Sequence, residues 1–329
     1  MQTGIVGIGA YVPEIVIDNA TISDWTGATE HWIEERTGVR ERRYAGQQQA
    51  TSDLALEASL DALAQHPGFD VQDLELIVVG TSTPDQPQPS TAAILQHKLG
   101  LSGMPAFDIN AVCTSFMYAL TIARGWLAGQ HHAGHALIVG ADRYSTIMDR
   151  SDRRTVTLFG DGAGAALLGP VPDGYGVRSS RLATHGEHRE LVEVVAGGTR
   201  EPLDVHALGA DRHLFRMRGR EVKQYALRHV TGLVAEALQD AGLDAEDISH
   251  YVFHQGNPRL VEELRDMLDL DPAQVPIVAD RYGNTAAASI PLTLATLDRE
   301  ERLERGQHVV LAGIGGGMTA GAIVLTWHQ

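Results

Sequence analysis

Apolar positions fall into two rhythms along this chain. Residues 4–11, 75–81, 135–140 and 309–313 form short, nearly unbroken apolar runs. Such runs predict strands covered on both faces, since a sheet wet on one side shows alternation. Residues 50–65 and 90–99 carry their apolar positions at helical spacing, and 24–37, with Trp32 and Arg36, reads as a further helix. A short strand ends at 105–109, after which Phe116, Met117, Leu120 and Ile122 recur at helical spacing. Segment 158–169, LFGDGAGAALLG, reads as a strand whose small residues permit close backbone packing. Residues 82–88 and 149–154 are polar or charged loops, and 321–327 forms a closing strand.

The pattern occurs twice. The strand at 75–79 has a counterpart at 248–253, and the phrase Lys98-Leu-Gly-Leu has one at Met267-Leu-Asp-Leu. Short strands at 106–109 and 276–280 follow, then helix starts marked by Cys113 and Asn284. The buried strands 136–140 and 309–313, and the glycine-rich 160–165 and 315–322, complete the match. Two β/α units, residues 1–170 and 171–329, are therefore expected. A duplication would put Cys113 and Asn284 near a shared pseudo-twofold axis.

Composition narrows the possibilities. With 329 residues and 43% hydrophobic content, the chain can bury a large core. Its 42 acidic and 26 basic residues leave a net charge of −16, which argues against a general nucleic-acid surface. One cysteine rules out an internal disulfide. The start, MQTGIVGIGAYVP, lacks a basic region and a long apolar stretch, and no run suits a membrane span. A cytoplasmic protein is expected. Gly7-Ile8-Gly9 lacks the third glycine of a dinucleotide fingerprint, and Pro13 sits where its helix would begin. His131, His132 and His135 read as a solvated turn, and no metal or cofactor site is expected.

Three stretches carry candidate chemistry. Cys113 stands where a strand turns into a helix, so unpaired N–H groups and the helix dipole would favour its thiolate. A buried structural cysteine is the competing reading. His254, in Phe253-His-Gln-Gly-Asn, follows a strand end and would line a cleft, or be an ordinary hydrogen-bonded histidine. Asn284, in Gly283-Asn-Thr-Ala-Ala-Ala-Ser, opens a helix and could be no more than its cap. Gly315-Gly-Gly, too near the last strand for a Rossmann helix, suits the presentation of N–H groups to an oxyanion.

Together with Trp32-Ile-Glu-Glu-Arg-Thr-Gly-Val-Arg-Glu-Arg and Phe159-Gly-Asp-Gly-Ala-Gly-Ala, these stretches resemble the β-ketoacyl-acyl carrier protein synthase III family of thiolase-like condensing enzymes over essentially the whole chain. The resemblance implies an α/β thiolase-like fold, with two pseudo-symmetric halves in five α-β-α-β-α layers. It implies an acyl-CoA-primed, decarboxylating Claisen condensation with malonyl-acyl carrier protein in fatty acid or polyketide initiation. The alternative is transfer of the acyl group to an alcohol or amine on the same fold. Cys113 is implied as nucleophile, His254 and Asn284 as donors to the enolate, and the Cys113 and Gly316 N–H groups as the oxyanion hole. Trp32, Arg36 and Arg153 would hold the CoA nucleotide, with Gly219 and Asn257 on the pantetheine. Arg220, Lys223 and Arg259 would form a patch for the acidic carrier protein, unless they are a solvated face. Gln88, Phe159 and Ile314 would shape the acyl pocket, Gln88 reaching across a homodimer. Departures from the pattern include Thr114 and Ser115, where the family has small residues, and Ile314, where it has Phe.

Overall fold

A computed structural model describes residues 2–329. The first half runs β1 (Gln2–Tyr11), β2 (Ile15–Asp18), α1 (Asn19–Thr26), α2 (Glu30–Thr37), β3 (Glu41–Tyr44), α3 (Thr51–Ala64), β4 (Leu74–Gly80), α4 (Thr91–Lys98), β5 (Ala106–Ile109), α5 (Ser115–Ala128), β6 (His135–Asp142) and β7 (Gly162–Val171). The second runs β8 (Gly176–Thr184), β9 (Val192–Glu193), α6 (Val205–Gly209), β10 (Arg216–Met217), α7 (Gly219–Ala241), β11 (Ile248–Phe253), α8 (Pro258–Met267), α9 (Ala279–Tyr282), α10 (Ser289–Arg299), β12 (His308–Gly315) and β13 (Thr319–Thr326).

Two large sheets result, ordered β1-β7-β6-β4-β5 and β8-β13-β12-β11. In each, the first two pairings are antiparallel and the next is parallel. The topology thus repeats, except that the second sheet has no counterpart of β5: the strand expected at 276–280 is instead a loop leading into α9. Gln255 occupies that space. Its side chain donates to Phe253 O (3.0 Å) and Pro276 O (3.2 Å) and accepts from Val278 N (3.0 Å). A side-chain clamp therefore replaces a strand ladder.

The layers follow from which residues each helix buries. Helices α3 and α4 cover the outer face of the first sheet, packing Leu54, Ala58 and Leu95 on Ile77, Val139 and Leu167. Helices α7 and α8 cover the second sheet, packing Val230, Val234 and Leu264 on Tyr251, Val310 and Val324. Between the sheets lie α5 and α10, whose Phe116, Leu120, Ile290 and Leu294 join Val78, Ile138, Val252 and Leu311 in one core. This is the five-layered α-β-α-β-α order.

The single helix expected over 24–37 is two. Gly27, at φ 70, ends α1 by donating its N–H to Ser23 O, and Thr29 then caps α2 through Trp32 N. That conformation is easy for glycine and closes a helix. Among the described residues, no helix is long and apolar enough to cross a membrane.

Candidate active site

Cys113 sits in a single 3-10 turn, Val112–Thr114, that feeds α5. The entry is built by side chains: Asn110 Oδ1 accepts from Val112 N (3.2 Å), and Ser115 Oγ accepts from Ala111 N (2.9 Å). Val112 adopts φ 52, an uncommon conformation for a branched residue and one that clusters at functional sites. The second half repeats this device. Asn284 Oδ1 accepts from Ala286 N (2.9 Å), Ala286 has φ 49, and the turn Ala286–Ala288 feeds α10 at Ser289. The structural counterpart of Asn284 is therefore Asn110, not Cys113, and the position equivalent to Cys113 in the second turn is Ala287. The repeat is real, but its register at the site is shifted by the turn.

Cys113 is buried, only 8% exposed, in a wall that includes Tyr144, Met148, Val156, Phe159 and Phe215. Tyr144 and Phe159 stack with centroids 4.6 Å apart, and Phe215 meets both edge-on. Burial pushes the Cys113 thiol well above its ordinary pKa, and the Asp142 carboxylate adds to the effect. The backbone N–H at the turn opposes it but does not prevail. The expected thiolate is thus not the resting form: desolvation outweighs the helix terminus.

His254 follows β11, and its N–H donates to Ala312 O (2.8 Å). A Cβ on Gly313 would stand 2.4 Å from His254 Cβ, so only glycine lets β12 pass so close. His254 Nδ1 lies 2.6 Å from Ser289 Oγ, which also accepts from Gln255 N (3.4 Å). Among the described residues Nδ1 is the one acceptor paired with the Ser289 hydroxyl, so the hydroxyl proton is assigned to that bond and the imidazole proton to Nε2. Burial lowers the pKa of His254 to about 4, so the ring is neutral and a donor.

Asn284 is fixed just as firmly. Its N–H donates to Leu158 O (2.7 Å), and its carbonyl accepts from Gly160 N (3.0 Å). With Oδ1 taken by Ala286 N, its Nδ2 is the group left to donate to a ligand. The turn after Asn284 packs on the Cys113 turn, which also meets β12 and the Gly316–Met318 turn. Asp142, fully buried, joins the halves: it accepts from Ser82 N (2.8 Å) and Thr83 N (3.1 Å) and, on its other oxygen, from Ala287 N (3.0 Å).

The remaining expected residues divide. The Arg153 guanidinium lies 5.1 Å over the Trp32 ring, with exposed Arg36 in the same helix as Trp32. A second platform, Arg150 over Trp25 at 4.7 Å, was not expected from the sequence. Gly219 opens α7 and is exposed. Asn257 caps α8, its Oδ1 accepting from Leu260 N (2.9 Å). Phe159 belongs to the wall around Cys113. Ile314 does not: alternation along β12 turns it outward with Val310 and Ala312 into the core beneath α7. Gln88 lies on an exposed loop. Of the basic patch, Lys223 pairs with Glu263, and Arg259 pairs with Glu262 (3.0 Å) and Glu35 O (3.2 Å), while Arg220 is exposed. Among the described residues, no cluster of three or more His, Cys, Asp or Glu is placed to hold a metal ion.

Sequence reasoning missed Ser289, Asp142 and Tyr144. Ser289 lay within a recognised motif, but its partner is 35 positions away, across the fold. Asp142 carried one signal, a carboxylate ending an apolar strand.

This geometry places the chain among the thiolase-like condensing enzymes, and comparison with known proteins agrees. Residues 107–186 match the family model described as 3-oxoacyl-[acyl-carrier-protein (ACP)] synthase III, and residues 238–327 match its C-terminal model. An acetoacetyl CoA synthase, NphT7, from Streptomyces sp. (strain CL190) is 46% identical, covering 98% of both chains. A β-ketoacyl-[acyl-carrier-protein] synthase III from Clostridioides difficile (strain 630) is 40% identical, covering 99% of this chain and 98% of its own. The crystal structure of 3-oxoacyl-(acyl carrier protein) synthase III from Pseudomonas aeruginosa PAO1 superposes with a TM-score of 0.91 at 35% identity, covering 100% of this chain and 99% of its own. The chain belongs to the 3-oxoacyl-[acyl-carrier-protein] synthase III family.

Proposed function

We propose that this protein is an acyltransferase that primes from acyl-CoA and condenses the acyl group with a malonyl thioester, with loss of CO₂, to give a β-ketoacyl thioester. One observation carries the reading: two buried donors, His254 Nε2 and Asn284 Nδ2, are oriented by Ser289 and Ala286 N, and the turn after Asn284 packs on the Cys113 turn. Both are neutral, and both suit charge that develops on a thioester oxygen as CO₂ leaves. Transfer of the acyl group to an alcohol or amine would leave these donors idle.

The cycle has two steps. Cys113 Sγ attacks the acyl-CoA carbonyl, its proton ends on the departing CoA thiol, and the Cys113 and Gly316 N–H groups hold the oxyanion. Malonyl thioester then enters, its C–CO₂ bond breaks, and the enolate forms against His254 and Asn284. The enolate carbon attacks the acyl-Cys113 carbonyl, and the thiolate leaves and is reprotonated. The Trp32–Arg153 platform and Arg36 would grip the nucleotide of CoA. Gly219 and the free amide of Asn257 would contact pantetheine. A working free thiol suits a reducing compartment such as the cytoplasm.

The family likeness supports malonyl-acyl carrier protein as the extender. A second reading, malonyl-CoA, is favoured by the salt bridges of Lys223 and Arg259, which spend two of three patch cations on this chain's own glutamates. The likeness to an acetoacetyl CoA synthase supports it as well. The test measures acyl-enzyme by intact mass and CO₂ release from labelled malonyl-CoA and malonyl-carrier protein separately. CO₂ from neither donor, with acyl transfer to an alcohol or amine, rejects the condensation.

A further inference from the structure

The turns that carry the Cys113 and Gly316 amides share an oddity. Each holds a residue other than glycine in the left-handed region, Val112 at φ 52 and Met318 at φ 52. Such backbone persists only where its surroundings fix it. Here the fixing groups are hydroxyls. Thr114 Oγ1 donates to Ala111 O at 2.8 Å. Thr319 Oγ1 stands 2.8 Å from Thr114 Oγ1, 3.0 Å from Ala111 O and 3.3 Å from Gly316 O. Each hydroxyl has one proton to share among these acceptors, so the two are joined by a donation in either direction or through the Ala111 carbonyl that both reach. Both side chains are buried.

This pair links the two turns at the point where they nearly touch. A Cβ on Gly315 would lie 3.0 Å from Cys113 N. On the far side, Met318 O accepts from Tyr225 OH (2.8 Å) and His185 N (3.1 Å), which tie the same turn to α7 and to the chain leaving β8. The Gly316 amide is thus held between a rigid anchor and the nucleophile's own turn. Thr114 stands where the resemblance leads one to expect a small residue.

We infer that Thr114 and Thr319 form a hydroxyl latch that sets the spacing of the Cys113 and Gly316 N–H groups, making both threonines positioning residues for oxyanion stabilisation. The inference rests on the reading that these two amides receive the oxyanion. Neither side chain touches a reacting atom. The latch acts because an oxyanion is held well only when both donors stand within about 2.7–3.1 Å of it.

The test uses the full chain and the variants Thr114→Val, Thr319→Val, their double, and Thr114→Ser. Single-turnover acylation by acetyl-CoA is followed by intact mass, and alkylation of Cys113 by iodoacetamide is timed in parallel. Alkylation forms no oxyanion. Each valine variant should acylate about 10-fold more slowly, short of the ~10²–10³ cost of losing a donor outright, with KM nearly unchanged. The double variant should match the singles, because each removes the same link. Thr114→Ser should acylate within about 3-fold of wild type, and alkylation should change less than about 2-fold throughout. Should the valine variants not fold, Thr114→Ala and Thr319→Ala take their place with the same readouts. Wild-type acylation rates in the hydroxyl-free variants overturn the latch. So does alkylation that falls in step with acylation, or a serine variant as slow as the valine. If the wild type takes no acyl group from any acyl-CoA, the reading of the site itself fails, and the latch with it.

Discussion

Replacing Ser289 by alanine isolates the assignment of the His254 proton. The Ser289 hydroxyl is buried, 2.6 Å from Nδ1, and it alone selects the tautomer with hydrogen on Nε2. A buried neutral hydrogen bond of this kind contributes about 1–2 kcal/mol. Without it, nothing opposes the tautomer in which Nε2 offers a lone pair to the enolate instead of a proton. At 1.4 kcal/mol per factor of ten, Ser289→Ala should slow CO₂ release from the malonyl donor by about 5–30-fold. Acylation of Cys113 should hardly change, since it uses the two backbone N–H groups. The assay pairs labelled CO₂ release with acyl-enzyme mass in one time course. An equal fall in both steps would mean that Ser289 supports the fold rather than the tautomer, and an unchanged CO₂ rate would refute the proton assignment.

Asn284→Ala should still accept an acyl group yet lose CO₂ release by about 10²–10³-fold, as measured in the same assay. The buried Cys113 thiol should react with iodoacetamide at pH ~8 more slowly than a free cysteine peptide by about 10-fold or more, and a faster reaction would contradict the upward shift. Because the pKa of His254 is lowered to about 4, its donor form persists as pH falls from ~8 to ~5.5, and the acid limb of decarboxylation lies below that range. A limb near the ordinary histidine value, in a pH profile of CO₂ release, would show a protonated ring. Sedimentation should report a homodimer, since β5 is an edge strand beside α5, whose Ile122 and Trp126 are exposed; an active monomer would refute it.

The strands were legible in the sequence because they are nearly continuous apolar runs, the mark of sheets sandwiched between helices. The three central motifs were legible because strand ends and helix starts collect chemistry in such folds. What failed were features decided by single contacts across the fold. Gly27 splits a helix whose two parts share one pattern. Gln255 replaces a strand whose residues still look extended. The Cys113 thiolate was inferred from a local helix start, whereas its burial depends on Tyr144, Phe159 and Phe215 from elsewhere. The faces of β12, in contrast, follow from period two alone, and the placement of Ile314 could have been derived by counting from Val310.

The shared middle layer has a consequence for how the chain is made. Helix α5 meets one sheet before synthesis of the other begins, so a nascent chain that has just completed β7 presents the far side of Phe116, Met117 and Leu120 to water. Only when β11 to β13 and α10 emerge does that surface close. The last strands, ending at Thr326, therefore seal the middle of the molecule as well as its edge. A stop a few dozen codons early would leave an open apolar slab, a target for chaperones and proteases, rather than a smaller stable protein.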